Sequence, residues 1–220
     1  MNILIMGPAG VGKGTVSTKI VEKYHVAHIS TGDMFREAIK NNTELGRQAQ
    51  SYMEKGLLVP DEVTINMTLE RIQQDDCADG YLLDGFPRTL AQAEAFEKVA
   101  AEMNRSIETV INLNISVDQL APRIVNRRIC KNCGEIYNTL TKPSKVEGIC
   151  DNCGSPLTHR PDDNLESLTV RLSEYDNLTA PVVTYFEEKG LVQQINAAQS
   201  MEEVWADVDK ALSKVANDQH

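Results

Sequence analysis

Two groups of residues in this chain have the types and spacing to do chemistry. The first is Gly7-Pro8-Ala9-Gly10-Val11-Gly12-Lys13-Gly14-Thr15, which contains Gly-x-x-x-x-Gly-Lys. Glycines at this spacing let the backbone turn tightly and aim its N–H groups inward at an anion. Lys13 adds a mobile point charge that can reach β- and γ-phosphates. In the commoner form of this motif Ser or Thr follows the Lys directly; here Gly14 comes between Lys13 and Thr15. The second group is a pair of knuckles, Cys130-Lys131-Asn132-Cys133-Gly134 and Cys150-Asp151-Asn152-Cys153-Gly154, with sixteen residues between them. Two C-x-x-C pairs so placed are a strong zinc signal, and four thiolates would close the coordination sphere. The metal is therefore expected to be structural. An iron–sulfur centre is the alternative for Cys130, Cys133, Cys150 and Cys153. His159 lies near but is read as a polar residue, and Cys77 as a packed core thiol.

These groups need a scaffold. Asn2 to Met6 is a short apolar run ending in glycine, the pattern of a buried strand. It precedes the phosphate loop, and Lys13 to Tyr24 continues with helical character, so Lys13 stands at a helix N-terminus whose dipole favours anions. Further strands are expected at 26–29, 81–84, 109–113 and 191–195, with helical patterns between them. Short apolar strands alternating with helices imply a parallel sheet covered on both faces. The clearest helix is at the C-terminal end, where Met201, Val204, Trp205, Val208, Ala211, Leu212 and Val215 share one face. Trp205 is expected in the core, and Ala216 to His220 to fray. A helix is also expected from Ser116, with Pro122 kinking it next to Arg123, since an interior proline costs about 3 kcal/mol. Residues 30–59 and the cysteine region interrupt the alternation and read as insertions.

The chain has 220 residues, 41% of them hydrophobic, and a formal net charge of −10. That acidic balance argues against a nucleic-acid or membrane-surface binder. A phosphate enzyme of this charge must concentrate its few cations in one place. No apolar run reaches the roughly 18 residues that a membrane span needs. The first residues lack the marks of a signal peptide, so a cytoplasmic location with reduced thiols is expected.

Together with four further segments, the loop resembles adenylate kinases of the long-lid, zinc-containing bacterial type. The segments are Ser30-Thr31-Gly32-Asp33-Met34-Phe35-Arg36, Leu83-Asp84-Gly85-Phe86-Pro87-Arg88-Thr89, Arg127-Arg128, and Arg160 to Asp163 with Arg171. Gly14 is what that family has at its position. Ala9, Val16, Asn126 and Pro161 depart from the family's usual text.

The resemblance implies a five-stranded parallel sheet of P-loop kinase type, flanked by helices. It implies a core of residues 1–29, 60–125 and 164–220, an AMP-binding arm at 30–59, and a small zinc-binding lid at 126–163. The implied reaction is reversible transfer of the ATP γ-phosphoryl to AMP, giving two ADP, with Mg²⁺ accompanying ATP and the chain acting as a monomer. By the same resemblance Gly10, Val11, Gly12, Lys13, Gly14, Thr15, Arg127, Ile136, Tyr137 and Gln199 contact ATP. Thr31, Arg36, Leu57, Leu58, Val59, Gly85, Phe86, Pro87, Arg88, Gln92, Arg160 and Arg171 contact AMP. Lys13, Arg88, Arg123, Arg127, Arg160 and Arg171 surround the moving phosphoryl, and Asp84, ending a buried strand, holds Mg²⁺ through water. Asp33 is expected to assist it. The acceptor is already an anion, so positioning and charge neutralisation carry the reaction and no strong base is needed. Two alternatives stand beside this reading: a kinase for UMP, CMP or GMP, and a zinc-ribbon ATPase or nucleic-acid module.

Overall fold

The computed structural model describes residues 1–217. In chain order the elements are β1 (Asn2–Met6), α1 (Lys13–Tyr24), β2 (Ala27–Ser30), α2 (Thr31–Lys40), α3 (Glu44–Glu54), α4 (Asp61–Ile72), β3 (Tyr81–Asp84), α5 (Leu90–Glu102), β4 (Thr109–Asn114), α6 (Leu120–Val125), β5 (Arg127–Cys130), β6 (Ile136–Asn138), β7 (Leu157–Thr158), α7 (Leu165–Glu174), α8 (Ala180–Glu188), β8 (Val192–Asn196) and α9 (Met201–Asn217).

All five residues of β1 are buried. It is the middle strand of a parallel sheet of order β2-β3-β1-β4-β8. Its side chains alternate between two cores. Ile3 and Ile5 pack with Val16 and Ile20 of α1, Leu120 and Ile124 of α6, and Val208 and Leu212 of α9. Leu4 and Met6 pack on the other face with Phe96 of α5 and Val182 and Phe186 of α8. Each such fully buried side chain stabilises the fold by about 1.5–3 kcal/mol. The helices following β1 and β3 therefore lie on opposite faces. This leaves a crevice beyond the carboxyl ends of the two strands, where open α/β sheets bind ligands.

Two smaller units attach to this sheet. Residues 31–59 carry α2 and α3, which close over a minor cluster of Phe35, Ala49 and Val59. Residues 127–158 carry an antiparallel sheet of order β6-β5-β7. Its buried cluster is only Cys130, Tyr137 and Cys150, with Leu157 against it.

Several elements differ from what the sequence predicts. β2 and β8 each lie one residue further along the chain than expected; their C-terminal ends extend because the ladder continues through the polar pairs Ser30–Asp84 and Asn114–Asn196. The helix expected from Ser116 is split into a 3₁₀ turn, Val117–Gln119, and α6. Pro122 therefore falls in the first turn of α6, where its missing N–H costs least, and no interior kink arises. Trp205 is not in the core. It is partly buried at the margin of the α9 cluster, with Lys19 Nζ 5.7 Å from its ring. The stretch expected to fray is helical through Asn217, and 218–220 lie outside the described residues. The cysteine region, aperiodic in sequence, contains β6.

Candidate active site

The loop after β1 wraps the N-terminus of α1. Gly7 takes φ +132°, and a Cβ there would lie 2.5 Å from the Leu113 carbonyl oxygen, so only glycine fits beside β4. Lys13 Nζ donates to the Gly7 carbonyl at 2.7 Å and to that of Pro8 at 3.1 Å. Burial lowers the Lys13 ammonium to about 8, with Arg88, Arg127 and Arg171 pushing the same way against Asp84. Asp84 ends β3 level with Ile5 of β1. Burial would raise its carboxyl, but His28 and Lys13 outweigh that and hold it below the usual range. His28 Nε2 stands 3.8 Å from Asp84 Oδ2.

Opposite the loop, arginines from three regions converge. Arg88 is fixed by Nε donating 2.8 Å to the Gly85 carbonyl, the same oxygen that accepts from Thr31 Oγ1 at 2.9 Å. A Cβ on Gly85, at φ +82°, would lie 3.0 Å from the Arg88 guanidinium. Arg127 makes a bidentate pair with the buried Asp163, through Nε at 2.8 Å and through Nη2. Arg171 pairs with Asp162. Arg36 of the arm grips Asp33, and Arg160 Nη2 reaches the same carboxylate at 3.4 Å. Burial first, then mutual repulsion, lowers Arg171 to about 9 and Arg160 to about 10. Arg88 is lowered by burial too. A guanidinium keeps its proton at neutral pH, so this crowding is relieved by anions rather than by proton loss. The arrangement is a receptor for several phosphates at once.

A partly open pocket adjoins the arginines. It is lined by Thr31, Phe35, Leu57, Val59, Arg88 and Gln92 among others. Leu58 and Gly85 also line it. Phe86 is buried under this site and stacks edge-on to Phe96 at 5.4 Å, and a cis peptide joins it to Pro87. On the other side of the loop Ile136 closes in, since a Cβ on Gly14 would lie 3.0 Å from Ile136 Cδ1.

The structure does not bring every expected residue to the centre. Arg123 donates to the backbone carbonyls of Val11 at 3.1 Å and Ala197 at 3.0 Å, pinning the phosphate loop instead of joining the arginine cluster. Tyr137 turns into the small sheet, where its hydroxyl accepts from Asp151 N–H at 2.8 Å. Gln199 Nε2 donates to Asp207 at 2.6 Å. Asp33 Oδ1 is held by Arg36 and Arg160 and so bridges arm and lid.

The four cysteines Cys130, Cys133, Cys150 and Cys153 place their sulfurs within 4.8 Å of one another. The knuckles repeat each other: Cys130 N–H donates to Glu135 and Gly134 N–H to Cys130, and Cys150 N–H donates to Ser155 and Gly154 N–H to Cys150, all at 2.9 Å. Sulfur pairs at 3.4 and 3.5 Å approach the edge of a tetrahedron with metal–sulfur bonds of about 2.3 Å. Cys77 is separate, buried beside Arg71.

A sequence profile of the adenylate kinase family matches residues 5–191. The chain belongs to the adenylate kinase family. It is 50% identical over 214 residues to the adenylate kinase of Carboxydothermus hydrogenoformans, covering 97% of this chain and 100% of that one. It is 51% identical over 212 residues to that of a Geobacillus species, covering 96% and 98%. With the Staphylococcus aureus adenylate kinase it shares 48% over 208 residues, covering 94% and 97%. Family membership over nearly the whole chain sets aside the zinc-ribbon and nucleic-acid alternative. Within this adenylate kinase fold, sequence reasoning missed the carboxylates that hold the arginines. Asp162 and Asp163 directly follow Arg160-Pro161, and an acidic pair beside a basic motif was the available signal. No helix is long and apolar enough to cross a membrane among the described residues.

Proposed function

We propose that this site transfers the γ-phosphoryl of Mg-ATP to AMP, reversibly, giving two ADP. The observation that carries the proposal is the convergence of half-buried cations from arm, core and lid between a phosphate loop and a pocket. The loop from Gly10 to Thr15 and Lys13 hold the donor phosphates. Thr31, Arg36, Leu57, Leu58, Val59 and Gly85 to Arg88 hold AMP, with Gln92 at its base. Arg88, Arg127, Arg160 and Arg171 neutralise charge on the moving group and align donor with acceptor. Arg123 serves by fixing the loop. Asp163, Asp162 and Asp33 hold the forks in place before substrate arrives, which lowers the reorganisation needed in the transition state. Ile136 over Gly14 keeps water from the phosphoryl, so transfer outcompetes hydrolysis.

Asp84, partly exposed at the crevice and facing Lys13, suits a magnesium ion held through water. Mg²⁺ supplies neutralisation of the β- and γ-phosphate charge when bound. The four converging thiols suit Zn²⁺, which supplies a crosslink to a lid whose own core is three residues. The chain acts on free nucleotides as a monomer in the cytoplasm, where a thiol-rich lid stays reduced.

The test is a coupled assay with ATP, Mg²⁺ and a panel of monophosphates. Activity with AMP far above UMP, CMP and GMP is expected. Preference for another monophosphate would move the assignment to that acceptor.

A further inference from the structure

Gln92 is 2% exposed and lines the pocket beside Arg88. Its amide is held from both ends. Arg88 N–H donates to Oε1 at 2.7 Å, and Nε2 donates to Asp61 Oδ1 at 2.7 Å. A backbone N–H can only donate and a carboxylate can only accept. The order of oxygen and nitrogen on Gln92 is therefore dictated by its partners. Asp61 is itself fixed, because Thr89 Oγ1 donates to its Oδ2 at 2.8 Å while accepting from Gln92 N–H at 3.1 Å. It stands at the first residue of α4, where a carboxylate is favoured.

Each end of the amide keeps one capacity unused: a lone pair on Oε1 and one N–H on Nε2. Among the other polar side chains lining the pocket, the hydroxyl protons of Thr31 and Thr64 are committed to carbonyls at Gly85 and Pro60, and Arg88 can only donate. Gln92 thus offers an acceptor and a donor side by side in a fixed order. A 6-aminopurine presents the complement, an amino donor next to the N1 acceptor. A 6-oxopurine presents the reverse, and in the same pose it needs the amide turned over. Turning it would set NH₂ against the Arg88 N–H and oxygen against the Asp61 carboxylate.

We infer that Asp61 is a specificity-determining residue: it acts through Gln92, locking the amide in the order that accepts 6-aminopurine monophosphates and rejects 6-oxopurine ones. The inference rests on the pocket being the monophosphate site. Asp61 touches no substrate, so its removal leaves the phosphate machinery in place. Water in place of the carboxylate donates as readily as it accepts, so only the Arg88 N–H would then favour the order.

The experiment compares kcat/KM for AMP and IMP in the unchanged protein and in Asp61→Ala, Asp61→Ser and Asp61→Asn. IMP differs from AMP at the 6-position and N1, and lacks the 2-amino group of GMP. In Asp61→Ala the AMP-to-IMP preference should fall by about tenfold or more, the weight of one hydrogen bond to a charged group. The loss should sit mainly in KM for AMP, with KM for ATP unchanged. Asp61→Asn, which still accepts through its amide oxygen, should recover part of the preference. Asp61→Ser poses the same question with a polar residue retained at the helix start, should the alanine variant not fold. An unchanged preference in both Ala and Ser variants overturns the inference, as does an equal loss toward AMP and IMP. Failure of the underlying reading is seen separately, as an unchanged protein that does not phosphorylate AMP.

Discussion

The five-stranded sheet and the three-stranded sheet both position phosphate-binding side chains, with very different means. The large sheet carries Gly7 to Lys13 and Asp84 on strands buried from both faces, as at Ile3, Leu4, Ile5, Leu82 and Leu83. The small one carries Arg127 and Ile136 on a sheet with three buried cluster residues, two of them cysteines. A core of that size cannot offset the conformational entropy of some thirty ordered residues. The lesson is a division of labour. The large region holds its groups on a deep apolar core, and the small one holds its groups on a sheet gathered around four cysteines. The ion pair between Arg160 and Asp33 joins the small region to the arm.

Substitutions that strike only one side of this contrast should separate the two regions. The largest effect belongs to the chemistry. Arg88→Ala should lower kcat by about 10³-fold or more, within the range that transition-state arginines supply in phosphoryl transfer. Steady-state kinetics beside thermal melting would check it, and near-normal turnover in a folded variant would remove Arg88 from its role. In the large core, Leu82→Ala should cost about 2–5 kcal/mol and shift unfolding of the whole molecule, read by denaturant titration. Stripping metal from the cysteines should act locally instead. Hydrogen exchange in 127–158 should accelerate while the amides of β1 and β3 stay protected; equal acceleration everywhere would erase the distinction.

The pH dependence sharpens the donor side. Lys13 sits near 8 in the folded protein, below its ordinary 10.5. Between these values the unfolded chain binds more protons, so the Lys13 contribution to stability rises with pH across that window. Its cost is fully present below about 8. Triphosphate binding raises the Lys13 value again, so ATP binding should take up a proton above pH 8. It should weaken by up to about tenfold per pH unit there, as calorimetry in buffers of different ionisation enthalpy can measure. The smallest effect is in the lid. Tyr137→Phe strands the Asp151 N–H and should cost about 1 kcal/mol, confined to exchange protection in that region.

Features that are local in the chain were legible in the sequence. The phosphate loop, the cysteine knuckles and Asp84 at a strand end each carry their mechanism within a few residues, and the sheet followed from apolar runs of the right length. Pairings across long separations were not legible. Nothing near Arg160 indicates Asp33, and nothing near Gln92 indicates Asp61, because only the closed fold brings them together. The contacts of Arg123 and Tyr137 were not legible for a related reason: the carbonyls of Val11 and Ala197 and the Asp151 N–H, which they meet, lie far from them in the chain. Pro122 showed that a breaker can mark a helix start as readily as a kink.

The central claim is that one site holds two nucleotides and passes a phosphoryl group between them without water. Phosphorus NMR of the protein with ATP, Mg²⁺ and AMP, followed to equilibrium, tests it most directly. Two ADP should form for each ATP consumed, with no inorganic phosphate beyond background. Inorganic phosphate accumulating while AMP stays untouched would contradict it.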